Sequence, residues 1–171
     1  MNSYHLRFAE PRDVEDIQNI EVLAGQNFLT TPYPTIAADP PHDSVELIER
    51  IAAQQIIVIC ESDRSPVGFV LFRPMGDALY LEEIDILPAH AGQRLGASLI
   101  DETERVAQAS GCTSLILSTF RDVPFNAPYY TKLGFHVVPD QTLTSYMRTL
   151  KAEHTAAGLD ENRRVFMRRT F

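Results

Sequence analysis

Leu81-Glu82-Glu83-Ile84-Asp85-Ile86-Leu87 runs directly into Pro88-Ala89-His90-Ala91-Gly92-Gln93-Arg94-Leu95-Gly96-Ala97-Ser98-Leu99-Ile100. The apolar first half predicts a strand over residues 78–87. The spacing of Leu95, Leu99, Ile100, Val106 and Ala107 predicts an amphipathic helix that starts after Gly92 and ends near Ala109. A strand, a short glycine-bearing turn and a helix start, taken in that order, form an anion site. Unpaired backbone N–H groups and the positive end of the helix dipole converge there. The phosphates of any cofactor belong at this turn.

Working outward, residues 4–9 alternate as a first strand. Pro11 suits the first turn of a helix whose expected buried stripe is Val14, Ile17, Ile20 and Ala24. Residues 25–43, with Pro32, Pro34, Pro40 and Pro41, read as a long loop, a length at which loops are often functional. Asp43 or Ser44 caps a second helix reaching Ala53, with Val45, Ile48 and Ile51 expected inside. Strands over 55–61 and 66–73 flank a turn at Ser62-Asp63-Arg64-Ser65, and Met75-Gly76-Asp77 turns the chain into the strand at 78–87. Asp101 and Arg105 are spaced to pair along the helix that follows. Beyond it, the pattern gives a strand over 113–119, a short helix over 126–133 stopped by Gly134, and a strand over 135–138. A helix over 142–157 and a strand over 164–170 complete the chain. The fold class is therefore α/β, a single mixed, largely antiparallel, twisted sheet with helices on both faces, read as one domain over residues 1–171.

With 171 residues, 44% of them hydrophobic and 22% charged, the chain has the composition of an ordinary globular domain. Its formal charge of −8 and lack of a Lys/Arg run argue against nucleic acid as a partner. No apolar run is long enough to span a bilayer, and the first residues carry no signal core, so a cytoplasmic location is expected. Cys60 and Cys112 fall in or beside strands and read as reduced thiols. The five histidines lack metal-ligand spacing, and no Gly-x-Ser-x-Gly elbow occurs, so neither a metal nor a serine nucleophile is implied. His90 and His136 read as surface residues.

Three segments together resemble the GNAT superfamily of acyl-CoA-dependent N-acyltransferases. Ile84-Asp85-Ile86-Leu87-Pro88 followed by Gly92-Gln93-Arg94-Leu95-Gly96-Ala97 is similar to that family's central strand and pyrophosphate loop. Asn126-Ala127-Pro128-Tyr129-Tyr130-Thr131-Lys132-Leu133-Gly134-Phe135 is similar to its Asn…Tyr-x-x-x-Gly-Phe motif, and Leu6-Arg7-Phe8-Ala9-Glu10-Pro11-Arg12-Asp13 to its usual opening. The loop keeps Gly96 of the family's Arg/Gln-x-x-Gly-x-Gly/Ala pattern. It has Ala91 where the family prefers a polar side chain and Arg94 where it prefers a glycine. Gln93 or Arg94 is then left to supply a side-chain donor.

The resemblance implies an N-acetyltransferase that uses acetyl-CoA on an amine, most simply a small-molecule one, by direct attack in a ternary complex. Such a reaction requires that the amine lose a proton, the oxyanion be stabilised and the leaving thiolate be protonated. By resemblance, the strand backbone at Ile84 and Ile86 pairs with the pantetheine arm, and Ala91, Gly92, Gln93, Arg94, Leu95, Gly96 and Ala97 surround the pyrophosphate. Tyr130 is the expected general acid, with Tyr129 as the adjacent fallback. Asn126 either caps its helix or touches the cofactor. Adjacent strand residues face opposite ways. By likeness to the polyamine acetyltransferases, Glu82 is the expected base, with Glu83 or Asp85 contacting substrate. Phe28, together with Tyr33 and His42, is placed to wall the acceptor site. A silent CoA-binding module and a peptide N-acetyltransferase are the competing readings, and a homodimer is left open.

Overall fold

In a computed structural model, residues 3–62 and 65–171 are described; Met1, Asn2 and the Asp63-Arg64 part of the expected turn lie outside them. Among the described residues, seven strands form one mixed sheet in the order β1-β2-β3-β4-β5-β7-β6. These are β1 (Tyr4–Phe8), β2 (Ile56–Glu61), β3 (Pro66–Met75), β4 (Ala78–Ile86), β5 (Ser114–Phe120), β6 (His136–Val137) and β7 (Arg164–Thr170). Among the described residues the helices are α1 (Val14–Gly25), α2 (Ser44–Ala52), α3 (Leu95–Ala109), α4 (Ala127–Lys132) and α5 (Ser145–Ala156). Strands and helices follow one another in the expected order, with boundaries moved by local capping. Thr144 Oγ1 accepts the Met147 N–H, so α5 starts at Ser145 rather than at residue 142. No helix among the described residues is long and apolar enough to cross a membrane.

The chain gathers into two compact units, one of residues up to Phe72 with Glu83–Arg105, the other of Arg73–Glu82 with Val106–Phe171. In the first, β1 and β2 pair antiparallel with Tyr4 opposite Glu61 and Phe8 opposite Ile57, and β2 pairs antiparallel with β3. Its core joins Ile17 and Ile20 of α1 and Leu47 and Ile51 of α2 to Ile56, Val58, Cys60, Phe69 and Leu71 of the strands. Cys60 is wholly buried and Cys112, in the second unit, partly exposed; both thiols are free, and burial raises the pKa of each.

The expected buried stripe of α2 is corrected. Val45 is 66% and Ile48 41% exposed, while Leu47 is fully buried. At 3.6 residues per turn Leu47 and Ile51 lie ~40° apart, so a stripe centred on them leaves Ile48 at its flank and Val45 nearly opposite. On the exposed side of α3 the Arg105 guanidinium pairs with Glu102.

In the second unit, Ala78–Leu81 of β4 pair in parallel with Ser114–Leu117 of β5, and β5 pairs antiparallel with the whole of β7. Ala78, Tyr80, Ile116, Leu143, Met147, Leu150 and Phe166 form its core. The expected strand over 135–138 shortens to His136–Val137, and the Phe135 N–H donates instead to the Tyr130 carbonyl at the end of α4.

Candidate active site

Strand β4 changes character at its midpoint. Ala78–Leu81 are buried, whereas every residue from Glu82 to Ile86 is partly exposed. The ladder to β5 ends at Leu81, so the later half of β4, with Ile84 and Ile86, keeps backbone groups that β5 does not engage.

The chain then enters the anion turn. Pro88–His90 make a 3-10 turn, Gly92 takes φ +78° and Arg94 φ +61°, and α3 begins at Leu95. The Ser98 N–H bonds to the Arg94 carbonyl, which leaves the N–H groups of Leu95, Gly96 and Ala97 ahead of the first intrahelical bond. Leu95 and Ala97 are anchored in the interior, while Ala91, Gly92, Gln93 and Arg94 are exposed. The sequence-predicted turn residues are thus contiguous and accessible. Arg94 holds a backbone angle that favours glycine, and a non-glycine side chain there costs roughly 1–2 kcal/mol. Arg94→Gly is accordingly expected to raise Tm by about 2–4 °C per kcal/mol relieved, as calorimetry of the two proteins checks.

One side chain of the turn is not a plain surface group. His90, expected at the surface, is half-buried, and its Nδ1 lies 2.9 Å from the Tyr4 hydroxyl. His136 is exposed as expected.

The first unit also gathers four titratable side chains. Glu83 and Asp85 share one face of β4, two residues apart. Glu21 comes from α1, and His42 from the segment just before the Asp43 cap of α2. His42 Nδ1 is in close contact with a Glu21 carboxylate oxygen and 3.3 Å from Glu83 Oε2, and the His42 backbone N–H donates to Glu21. Gln18 fixes the segment by donating to the His42 carbonyl at 2.9 Å. Burial raises Glu83 well above the ordinary carboxyl value, and the charges of Asp85 and Glu21 raise it further. Burial likewise lifts Asp85 to about 6 against the opposing influence of its hydrogen bond with Glu83. The backbone here is held close: a Cβ on Gly68 of β3 would meet Ile86 Cδ1 and lie 2.9 Å from the Asp85 carbonyl oxygen. Such a group can take a proton near neutral pH. Glu21 was not anticipated. Its signal was present, since it occupies the i+4 position of the Ile17, Ile20, Ala24 stripe, where a carboxylate is costly to bury without a purpose.

Glu82, on the opposite face of β4, belongs to the second unit. Its carboxylate is 3.3 Å from Arg73 Nε, and the same guanidinium reaches Glu153 at 3.6 Å. Tyr130 is half-buried on α4, its ring 5.5 Å from that of Tyr129 and 5.8 Å from that of Phe135. Asn126 occupies the N-cap position of α4, yet its side chain makes no capping bond. Its Oδ1 instead accepts from Thr119 Oγ1 at 2.8 Å and from the Phe120 N–H, tying α4 to β5. Phe28 is half-buried in a 3-10 segment over Gln26–Thr30.

A family model described as the acetyltransferase (GNAT) family matches residues 22–135, more than half of the chain. The chain belongs to the GNAT acetyltransferase family. Solved structures agree on the GNAT fold. A PaiA N-acetyltransferase from Thermoplasma acidophilum, in complex with coenzyme A, superposes with a TM-score of 0.73 at 15% identity over 99% of each chain. N-acetylglutamate synthase from Neisseria gonorrhoeae, complexed with coenzyme A and N-acetyl-glutamate, gives 0.73 at 14% identity, covering 99% of this chain and 35% of that one. A GNAT acetyltransferase from Listeria monocytogenes gives 0.69 at 16% identity over 98% and 95% of the two chains. At these identities it is the GNAT architecture that is shared.

Proposed function

We propose that this GNAT chain, acting as one domain over its whole length, transfers the acetyl group of acetyl-CoA to the amine of a small molecule by direct attack in a ternary complex. The reading is carried by the Glu83–Asp85 carboxyl pair, held proton-avid by burial on the same strand that leads into the anion turn. Bound coenzyme A in two related folds supports the choice of cosubstrate.

Acetyl-CoA supplies an activated thioester. The N–H groups of Leu95, Gly96 and Ala97 and the dipole of α3 attract its pyrophosphate, with Ala91, Gly92, Gln93 and Arg94 around them. The backbone of Ile84 and Ile86 bonds its pantetheine arm as a strand partner would. Glu83, with Asp85, takes a proton from the acceptor ammonium, and the free amine forms the C–N bond as the C–S bond breaks. Tyr130 gives its phenolic proton to the departing thiolate and regains one from the nitrogen of the new amide. Asn126 orients α4, and with it Tyr130, through its bond to β5. Phe28 and His42 border the acceptor. Glu83–Asp85 suits the base better than Glu82, since Arg73 already neutralises Glu82.

A panel of amines assayed by CoA release tests the reading, with acetyl-CoA affinity measured by calorimetry alongside. Turnover with one amine class is the expected result. Tight CoA binding with no turnover on small amines or peptides would replace the enzyme by a CoA-binding module, and turnover on peptides alone would change the acceptor class.

A further inference from the structure

Tyr4 on β1 is far in sequence from the anion turn, yet its hydroxyl holds two of the turn's side chains. It donates to Gln93 Oε1 at 3.0 Å and lies 2.9 Å from His90 Nδ1. A phenol has one proton to give. With that proton on Gln93, the phenol accepts from His90 Nδ1–H, so the three groups form a directed chain from His90 through Tyr4 to Gln93. The rings of Tyr4 and His90 also meet edge-on, with centroids 6.0 Å apart. The two bonds bridge the turn from His90, in the 3-10 segment Pro88–His90, to Gln93.

The consequence lies in the amide of Gln93. Its oxygen is engaged by Tyr4, so the end it offers elsewhere is the N–H₂, a donor only. This turn has Ala91 where related turns prefer a polar side chain, and Arg94 holds a left-handed backbone angle without being glycine. Ala91 gives the turn no side-chain hydrogen bond of its own, and Tyr4 provides two from β1. We propose that Tyr4 is a positioning residue for the acetyl-CoA diphosphate: it sets the amide of Gln93 donor-outward and fixes the turn between His90 and Gln93 before the cofactor arrives. The inference rests on the acyltransferase reading above. Preorganising a loop in its bound form raises affinity by lowering the ordering cost of binding, so the effect falls on cofactor affinity and not on the chemical step.

The test is Tyr4→Phe in the full chain, which keeps the ring and removes the hydroxyl. Kd and KM for acetyl-CoA are expected to rise about 3- to 10-fold, the range of one or two hydrogen bonds, with kcat within twofold of wild type. With acetyl-pantetheine, which carries no phosphate, the variant and wild type are expected to have equal KM. In a Gln93→Ala background, adding Tyr4→Phe is expected to cost at most a small further loss, since the two act as a unit. A merely structural role for Tyr4 predicts instead the same penalty for both thioesters and full additivity with Gln93→Ala, and either result overturns the proposal, as does unchanged acetyl-CoA affinity. Failure of the wild-type protein to bind acetyl-CoA at all is a different outcome; it removes the acyltransferase reading and the proposal with it.

Discussion

Glu83→Gln lowers kcat by about 10²–10³, the range of a lost general base, and raises stability at pH 8. The two effects share one origin. Burial, with the nearby charges of Asp85 and Glu21, raises the Glu83 carboxyl, and Asp85 is lifted to about 6. A carboxyl whose folded value exceeds its ordinary one binds a proton more tightly in the folded chain than in the unfolded chain. Its stabilising contribution is complete below the ordinary value, 3.8 for Asp85, and is lost as pH rises through the folded value. The wild-type protein is therefore expected to lose stability as pH climbs from about 4 past 6. The base becomes competent as the pair loses its proton, so kcat/KM rises with pH. Glu83→Gln is expected to flatten both curves. Its Tm at pH 8 should exceed that of wild type by about 2–4 °C for each kcal/mol of relieved repulsion. A pH series of kcat/KM paired with thermal melts reads both, and a variant that kept the wild-type acid limb would remove Glu83 from the base role.

Tyr130→Phe lowers kcat by about 10² or more while leaving acetyl-CoA affinity within a few-fold of wild type. The ring stays packed beside Tyr129 and Phe135, and the hydroxyl with its proton is removed. The deficit should depend on the leaving group. An acetyl thioester of an acidic aromatic thiol needs little protonation as its C–S bond breaks, so the variant and wild type should converge on it. Measuring kcat for both proteins with acetyl-CoA and with such a thioester separates a missing proton from a displaced cofactor, since displacement would depress both rates alike.

The two units differ in how much the amino-acid pattern revealed. Strands β2 to β5 and helix α3 follow from unbroken apolar runs and one clean helical stripe, and their boundaries shifted by only a residue or two. Helix α2 misled because Val45, Ile48 and Ile51 make a self-consistent stripe. Leu47, the side chain that packs against Ile17 and Ile20, interrupts that stripe, and tertiary packing decided between the two. At the candidate site, the anion turn was legible because motif spacing carries it, whereas Glu83 was expected as a substrate contact with Glu82 as the base. Glu21 was legible in principle as the acid on an apolar stripe. His42 was expected only as a wall of the acceptor site, and Tyr4 was not expected at all, because their contacts reach residues far along the chain, at Glu83 and at His90 and Gln93. A short-range pattern has no term for such pairs. Asn126 occupied the expected cap position but spent its side chain on β5, a choice that depends on where β5 lies.

The two free thiols sit in different compact units, Cys60 wholly enclosed by the first core and Cys112 half in solvent in the second. An alkylating reagent should therefore mark the native protein in two phases without any engineered label. Cys112 reacts first, at a rate set by its own thiolate fraction. Cys60 reacts only in molecules whose β1–β2 layer has opened, so its labelling rate, followed by mass spectrometry against reagent concentration, reads the opening equilibrium of that layer. Added acetyl-CoA slows the second phase if the cofactor's hold on the anion turn is energetically linked to the closed core of the same unit, and leaves it untouched if turn and core open independently.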